Sequence, residues 1–423
     1  MNAPISLINY ADLVHQDRVH GTLYTDPAVY EDEIERIFHQ GWVYVGHDSE
    51  VAELSSWCVK PLGRQTVILT RDKNNAIHVL YDRCPHRGNK ICQEPKGVAH
   101  TLTCPYHAWS FSMDGKLVGM PAERGAGPGY QREASGLTHV ARVAAYGGFV
   151  FASMAAQGVS LEQHLGYATR TIDQLVRMSP RGRIRLTAGW IKHRFRGNWK
   201  NVLENQVDGY HAPYVHGSLL SANRDWANER DRKDTSPTTA RDLGLGHSDI
   251  DYTQSYHAKG GNLRWTGMIP ESRAPQYVAA MRAAYPPEVA EESLIVGPPH
   301  AMIFPNLFIA EMNIMVLQPV SAGETIHWTT PVMLEDGGEI NERSLRRCEG
   351  ALGPAGFLIA DDAEISDLNQ IGVGNREPEW VMLRRGLETE KHQADNIIVG
   401  GLMDETSQRA FWRHYGQLMG EKK

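Results

Sequence analysis

Apolar and polar positions divide this chain into three stretches. In "DPAVYEDEIERIFHQGW", residues 26–42, Val29, Ile34, Ile37 and Phe38 supply an apolar face at helical spacing. Asp26 suits the N-cap and Pro27 the first turn, so the pattern predicts a helix near the start of the chain. From there the periodicity shortens. "WVYVG", "WCVKPL", "TVILTRD", "AIHVLYD" and "GGFVFASM" are strand-like runs separated by turn residues, as expected of a small all-β unit. Beyond residue 156, helical stretches ("LEQHLGYATRTIDQLVRM") mix with alternating ones ("RLTAGWIKHRFRG", "NIMVLQPVSAGETIHWTTPVML"), which predicts an α+β domain with an antiparallel sheet. The expected domains are an N-terminal helical arm, 1–40, packing on the last domain; an all-β domain, 41–155; and a larger domain, 156–423. The polar stretch from about 221 to 262 reads as a solvated loop, with a substrate lid as the alternative.

Composition narrows the partners. The 423 residues are 41% apolar, enough for a sizeable core, and 50 acidic against 43 basic residues leave a net charge of -7. That balance argues against nucleic acid or an anionic membrane. No run approaches the roughly 18 apolar residues of a membrane span, and cytoplasmic residence is the expectation. Five cysteines, Cys58, Cys84, Cys92, Cys104 and Cys348, fit reduced thiols or metal ligands better than a disulfide framework.

Two of these cysteines carry chemistry. "CPHRGN" and "CPYHAW" set Cys84 and His86 in one tight turn and Cys104 and His107 in a second, with 17 residues between. Thiolate with imidazole suits zinc, copper or an iron-sulfur centre. The two Cys-Pro turns in a β-rich setting resemble those of a Rieske 2Fe-2S domain, in which two cysteines hold one iron and two histidines the other. Replacing thiolates by imidazoles raises the potential of such a cluster into a range of about -150 to +300 mV. A closed zinc site is the structural alternative. Cys58 and Cys92 read as packing thiols.

A second constellation lies in "GNWKNVLENQVDGYHAPYVHGS", where Asp208, His211 and His216 follow a helix starting near Trp199. Asp208 and His211, three apart, are expected on one helical face. On an unbroken helix His211 and His216 would diverge by about 140°, and Pro213 favours a break between them. Two imidazoles and one carboxylate make a facial triad for Fe(II) with positions left open. The carboxylate is expected from Asp361 or Asp362 in "GPAGFLIADDAEISDL".

Taken in this order and separation, the two motif sets resemble the catalytic alpha subunit of Rieske non-heme iron ring-hydroxylating oxygenases, over residues from about 30 to 420. The resemblance implies a small all-β Rieske domain joined to a catalytic α+β domain of helix-grip, START-like type. It implies that Cys84, His86, Cys104 and His107 bind the 2Fe-2S cluster, and that His211, His216 and Asp362 bind the mononuclear iron, with Asp361 as the alternative to Asp362. The match "EN-x-x-D-x-YH" also covers Glu204, Asn205, Asp208 and Tyr210. Asp208 would then bind no iron, but would bridge a ligand histidine of its own subunit and His107 of a neighbouring one, implying a ring of at least three subunits.

The implied activity is dihydroxylation of an aromatic ring with O2, and the chain looks most like the benzoate, anthranilate, salicylate and terephthalate branch. Anthranilate, converted to catechol with loss of ammonia and carbon dioxide, is the first choice. A Rieske monooxygenase of the salicylate hydroxylase or N/O-demethylase type is the alternative. "GAGPGY" lacks the context of a dinucleotide fingerprint, so NAD(P)H would act through a separate flavin reductase, with or without a ferredoxin. A small beta subunit in an alpha3beta3 assembly is expected, with a homotrimer as the alternative. Apolar segments around "AMIFPNLFI" and "LRWTGMI" are pocket or core, and Asn205 and Arg264 are candidate partners for a substrate carboxylate. A 2Fe-2S electron carrier without oxygenase activity would leave the two-histidine segment unexplained, and a zinc hydrolase would leave the cysteines unexplained.

Overall fold

The computed structural model describes residues 8–217, 237–259, 263, 265, 269–353 and 356–420. The chain forms two compact units, residues 38–161 and residues 1–37 with 162–423.

The smaller unit is built from short antiparallel sheets. One orders Ile77–Tyr81, Gln65–Arg71, Ser56–Leu62 and Lys96–Val98; a second joins Leu102–Thr103, Ser110–Phe111 and Leu117–Gly119; a third joins Arg142–Tyr146, Phe149–Ser153 and Val43–His47. Ser56–Leu62 shows why the chain folds this way: Ser56, Cys58, Lys60 and Leu62 are buried, while Trp57, Val59 and Pro61 between them are half-buried. Lys60 lies on the inward face because Glu50 pairs with its ammonium.

In the larger unit a nine-stranded antiparallel sheet runs, in spatial order, Ile191–Phe195, Glu324–Pro331, Asn313–Ser321, Leu307–Ala310, His300–Ile303, His247–Asp251, Thr239–Gly244, Ile398–Gly401 and Lys391–His392. The Trp199–Gln206 helix packs on its two longest strands, and the Phe357–Val373 helix packs on that helix. Asn198 caps the first of these, accepting from the Lys200 backbone N–H at 3.0 Å while its own amide donates to the carbonyls of Tyr24 and Ala322.

Beneath that helix lies an ion pair with no exposure at either side chain: Lys200 Nζ and Glu33 Oε1, 2.6 Å apart. The Glu33 carboxylate also accepts from Trp199 Nε1 at 2.8 Å and Tyr415 Oη at 2.7 Å. Glu33 belongs to the N-terminal helix Pro27–Glu33, capped by Asp26 and continuing as π-helical turns through His39. Val29, Ile34 and Ile37 are buried. Breaking a buried pair of this kind costs about 3–5 kcal/mol, because the remaining charge is left without a partner.

Residues 239–259 correct the reading of the polar stretch as a loop. Thr239–Gly244 and His247–Asp251 form a hairpin inside the large sheet, followed by the helix Thr253–Lys259. The charges that suggested solvent pair with one another instead: Arg241 donates to both oxygens of Asp249, at 2.7 and 2.6 Å, and reaches Asp251 at 2.8 Å. Residues 221–236 and 260–262 of that stretch, and Arg264, lie outside the described residues. In the "AMIFPNLFI" segment, Ala301, Met302, Ile303, Leu307, Phe308 and Ile309 are all buried in the sheet. No helix among the described residues is long and apolar enough to cross a membrane.

Burial drives three histidines of the larger unit far down in pKa, His164 and His414 to about 4 and His327 to about 3. Their folded-state values lie below the ordinary 6.5, so as pH falls below 6.5 the unfolded chain takes up protons that the folded chain refuses. Stability present above that pH is therefore lost as pH drops toward 4, by up to about 1.4 kcal/mol per pH unit for each histidine. Urea unfolding midpoints should fall between pH 7 and 5, and His327→Gln should shallow the slope. A slope unchanged in the variant would contradict the assignment of His327.

Candidate metal centres

The two cysteine turns share one backbone design. The Cys84 N–H donates to the Asn89 carbonyl at 2.8 Å and the Gly88 N–H returns to the Cys84 carbonyl at 2.9 Å; Cys104 does the same with Trp109 at 2.8 Å and Ala108 at 3.0 Å. Closing each turn requires left-handed backbone four residues after the cysteine, with φ of +73° at Gly88 and +56° at Ala108. Asp82 braces the first turn from behind, accepting from the backbone N–H groups of Ile91 at 2.9 Å and Cys92 at 3.0 Å.

Cys84 and Cys104 are buried in an apolar cluster with Ile68, Leu80, Leu102, Phe111 and Leu137, whereas His86 and His107 are exposed. Burial pushes the Cys84 thiol up, and the adjacent Cys104 adds to the rise against the backbone N–H groups of His86 and Arg87. The imidazoles meet edge to face with centroids 4.6 Å apart, and His86 stacks on Trp109 at 4.9 Å with planes 3° from parallel. A pair of thiols on the buried side and a pair of imidazoles on the solvent side is the donor set of a two-iron cluster with unlike ends. Cys58 and Cys92 are buried thiols outside the turns, and burial pushes Cys58 up to about 12.

In the larger unit, His211, His216 and Asp362 are the described group whose ligand atoms converge, all within 4.8 Å of one another. His211 Nε2 and His216 Nε2 are 3.3 Å apart, and Asp362 Oδ1 lies 3.6 Å from the first and 3.3 Å from the second. This near-equilateral triangle suits one face of an octahedron, whose ligand atoms stand about 3 Å apart for bonds near 2.1 Å. Asp362 is buried, which raises its carboxyl against the opposing pull of the two imidazoles. At His211 burial presses the pKa down, but the carboxylates of Asp208 and Asp362 outweigh it and leave it raised. A cation at the triangle's centre would compensate the carboxylate, and neutral imidazoles would face it with their lone pairs.

The local path differs from the expected one. The helix ends at Gln206, so Asp208 lies in the turn beyond it and shares no helical face with His211. The break comes before His211, and Pro213 instead opens a second short helix, Ala212–Val215, with the two histidines at its ends. One helical turn between them suffices to bring both imidazoles together. Asp208 Oδ1 accepts from the Tyr210 N–H at 2.6 Å, and Oδ2 lies 3.7 Å from His211 Nδ1, which has no hydrogen-bond partner among the described residues.

Asp361 and Asp362 are the fifth and sixth residues of the Phe357–Val373 helix. Asp361 Oδ2 lies 3.3 Å from His216 Nδ1, on the ring edge away from the triangle. Asn205 Nδ2 donates to Asp362 Oδ1 at 3.3 Å, a link that its position in the sequence did not reveal. Glu204, the motif residue before it, faces the core: Tyr24 and Trp412 donate to its carboxylate, and burial raises its pKa to about 7.

Residues 41–141 match the Rieske 2Fe-2S domain family, and residues 183–421, more than half the chain, match the ring hydroxylating alpha subunit catalytic domain family. The chain belongs to the ring-hydroxylating oxygenase alpha subunits. It is an oxidoreductase of the dioxygenase class, with a Rieske 2Fe-2S cluster and a mononuclear iron as its cofactors. Relatives of this alpha subunit include the 2-halobenzoate 1,2-dioxygenase large subunit of Burkholderia cepacia, 30% identical over 89% of this chain and 83% of that protein. The anthranilate 1,2-dioxygenase large subunit of Acinetobacter baylyi is 28% identical, over 87% of this chain and 80% of that protein. The fold is also that of naphthalene 1,2-dioxygenase from Rhodococcus sp. bound to indole, at a TM-score of 0.82 and 23% identity, covering 95% of this chain and 94% of that one.

Proposed function

We propose that this alpha subunit dihydroxylates an aromatic carboxylate, with anthranilate as the substrate, and that His211, His216 and Asp362 hold its mononuclear iron while Cys84, His86, Cys104 and His107 hold its cluster. The triangle of ligand atoms, with sides of 3.3, 3.6 and 3.3 Å, carries the iron assignment. When bound, the iron supplies dioxygen activation beside the substrate and the cluster supplies the electrons that this consumes. Relatives named for acting on 2-halobenzoate, anthranilate and toluate, at 28–30% identity, support the carboxylate reading.

The chain's own residues prepare the site. His211 and His216 turn Nε2 toward one point, leaving Nδ1 of each for a carboxylate. Asn205 gives one amide N–H to Asp362, which leaves its second N–H as a donor for the substrate carboxylate. Asp208, beside His211 Nδ1, orients that imidazole and links it to His107 of a neighbouring subunit. Domain limits of 1–40, 41–155 and 156–423, a small beta subunit in an alpha3beta3 assembly, and a flavin reductase or ferredoxin fed by NAD(P)H complete the proposal. The large subunit names of the relatives support a multicomponent system.

With reductase and NADH supplied, anthranilate should yield catechol, ammonia and carbon dioxide; oxygen uptake without catechol would refute anthranilate while leaving the family untouched. Asp208→Asn should keep both metals, by metal analysis and cluster absorption, yet lose about 100-fold or more in turnover. Activity near that of the unaltered protein would refute the link.

A further inference from the structure

The two adjacent aspartates of the Phe357–Val373 helix meet opposite edges of one imidazole. Asp362 Oδ1 stands 3.3 Å from His216 Nε2, and Asp361 Oδ2 stands 3.3 Å from His216 Nδ1. Consecutive helical residues diverge by about 100°, so one helix can place carboxylates on both edges of a ring lying across it. Asp362 is buried, while the Asp361 side chain is 33% exposed, so the two adjacent carboxylates lie in different surroundings, one inside and one at the rim.

We propose that Asp361 is a positioning residue: its carboxylate takes the Nδ1–H of His216, fixes the tautomer whose Nε2 lone pair faces the triangle, and does not itself ligate. The inference rests on the iron assignment above. An imidazole that donates Nδ1–H to a carboxylate is held against rotation and is the stronger donor at Nε2. His211 has Asp208 in the corresponding place at 3.7 Å, so each histidine of the triangle has a carboxylate at its outer nitrogen. The two differ in origin. Asp208 comes from a turn, whereas Asp361 comes from the helix that also carries Asp362, so a single rigid element sets both the carboxylate corner and the orientation of one imidazole corner. Asp361 Oδ2 meets the outer nitrogen of His216 while Asp362 Oδ1 meets the inner one, and it is Asp362 that joins the two histidines in the converging group.

The test uses the full protein with its cluster, comparing Asp361→Ala, Asp361→Asn and Asp362→Ala. Fe(II) affinity is measured by chelator competition, and the geometry at the iron by electron paramagnetic resonance with nitric oxide as probe. Cluster absorption reports folding. Asp361→Ala should weaken Fe(II) binding by about 10–100-fold and broaden the nitric oxide spectrum. Asp361→Asn, which retains an oxygen at that place without the charge, should restore the line shape and recover part of the affinity, and Asp362→Ala should lose the iron. Unchanged affinity and line shape in Asp361→Ala, or no recovery in Asp361→Asn, would overturn the positioning role while the iron assignment stands. Retention of iron by Asp362→Ala would overturn the assignment and the inference together.

Discussion

The site depends on a buried charge pair. Lys200 and Glu33 meet at 2.6 Å with no exposure, and Trp199 and Tyr415 donate to the same carboxylate. These bonds tie three segments distant in sequence, the N-terminal helix, the Trp199–Gln206 helix and the Thr406–Gly420 helix, to one fixed point. A pair of buried hydrophobic side chains of like volume would pack as well, but would tolerate sliding; a directional ion pair with satisfied hydrogen bonds does not. The first turn of the Trp199–Gln206 helix, whose far end leads into the turn carrying Asp208 and His211, is placed by this anchor. Glu204 repeats the device one turn further on, with Tyr24 and Trp412 as donors.

From the far end of that helix the chain needs little further structure to make a metal site. One short helix separates His211 from His216, and the Phe357–Val373 helix, packed on the Trp199–Gln206 helix, brings Asp362 across. Asn205 joins the two helices by donating to the ligand carboxylate itself. The cluster turns follow a different logic. Their rigidity is in the backbone, with paired hydrogen bonds about each cysteine and left-handed residues at Gly88 and Ala108, and the cysteines are buried while the histidines are exposed.

Strands such as Ser56–Leu62 and Glu324–Pro331 were legible as short β-prone runs between turn residues, but which face is buried was not, since Lys60, Thr325 and His327 lie inward while Trp57, Val59, Ile326 and Trp328 are half-buried; the cysteine turns were legible because Cys-Pro with a following histidine is a short-range pattern. His211, His216 and the Asp361–Asp362 pair were legible as chemistry but not as geometry. Pro213 marked a break, yet the real break precedes His211, since proline is as comfortable opening a helix as ending one. The hairpin at 239–251 was hidden because Arg241, Asp249 and Asp251 neutralise one another only once folded, and one-dimensional polarity cannot show that. Nor could Ala108 in left-handed backbone be read directly, although its place matches that of Gly88 relative to the cysteine.

In the proposed assembly the electron-supplying cluster of one subunit is coupled to the oxygen-activating iron of its neighbour. Single-turnover oxygenation by the purified, pre-reduced protein tests that coupling most directly, with cluster oxidation followed by visible absorption and product by chromatography across a panel of aromatic carboxylates. The account predicts that one acid yields product with matched oxidation of the cluster, and that without substrate the cluster stays reduced. A cluster that stays reduced with every acid would contradict the aromatic-carboxylate reading, and one that oxidises equally in the absence of all of them would contradict the coupling.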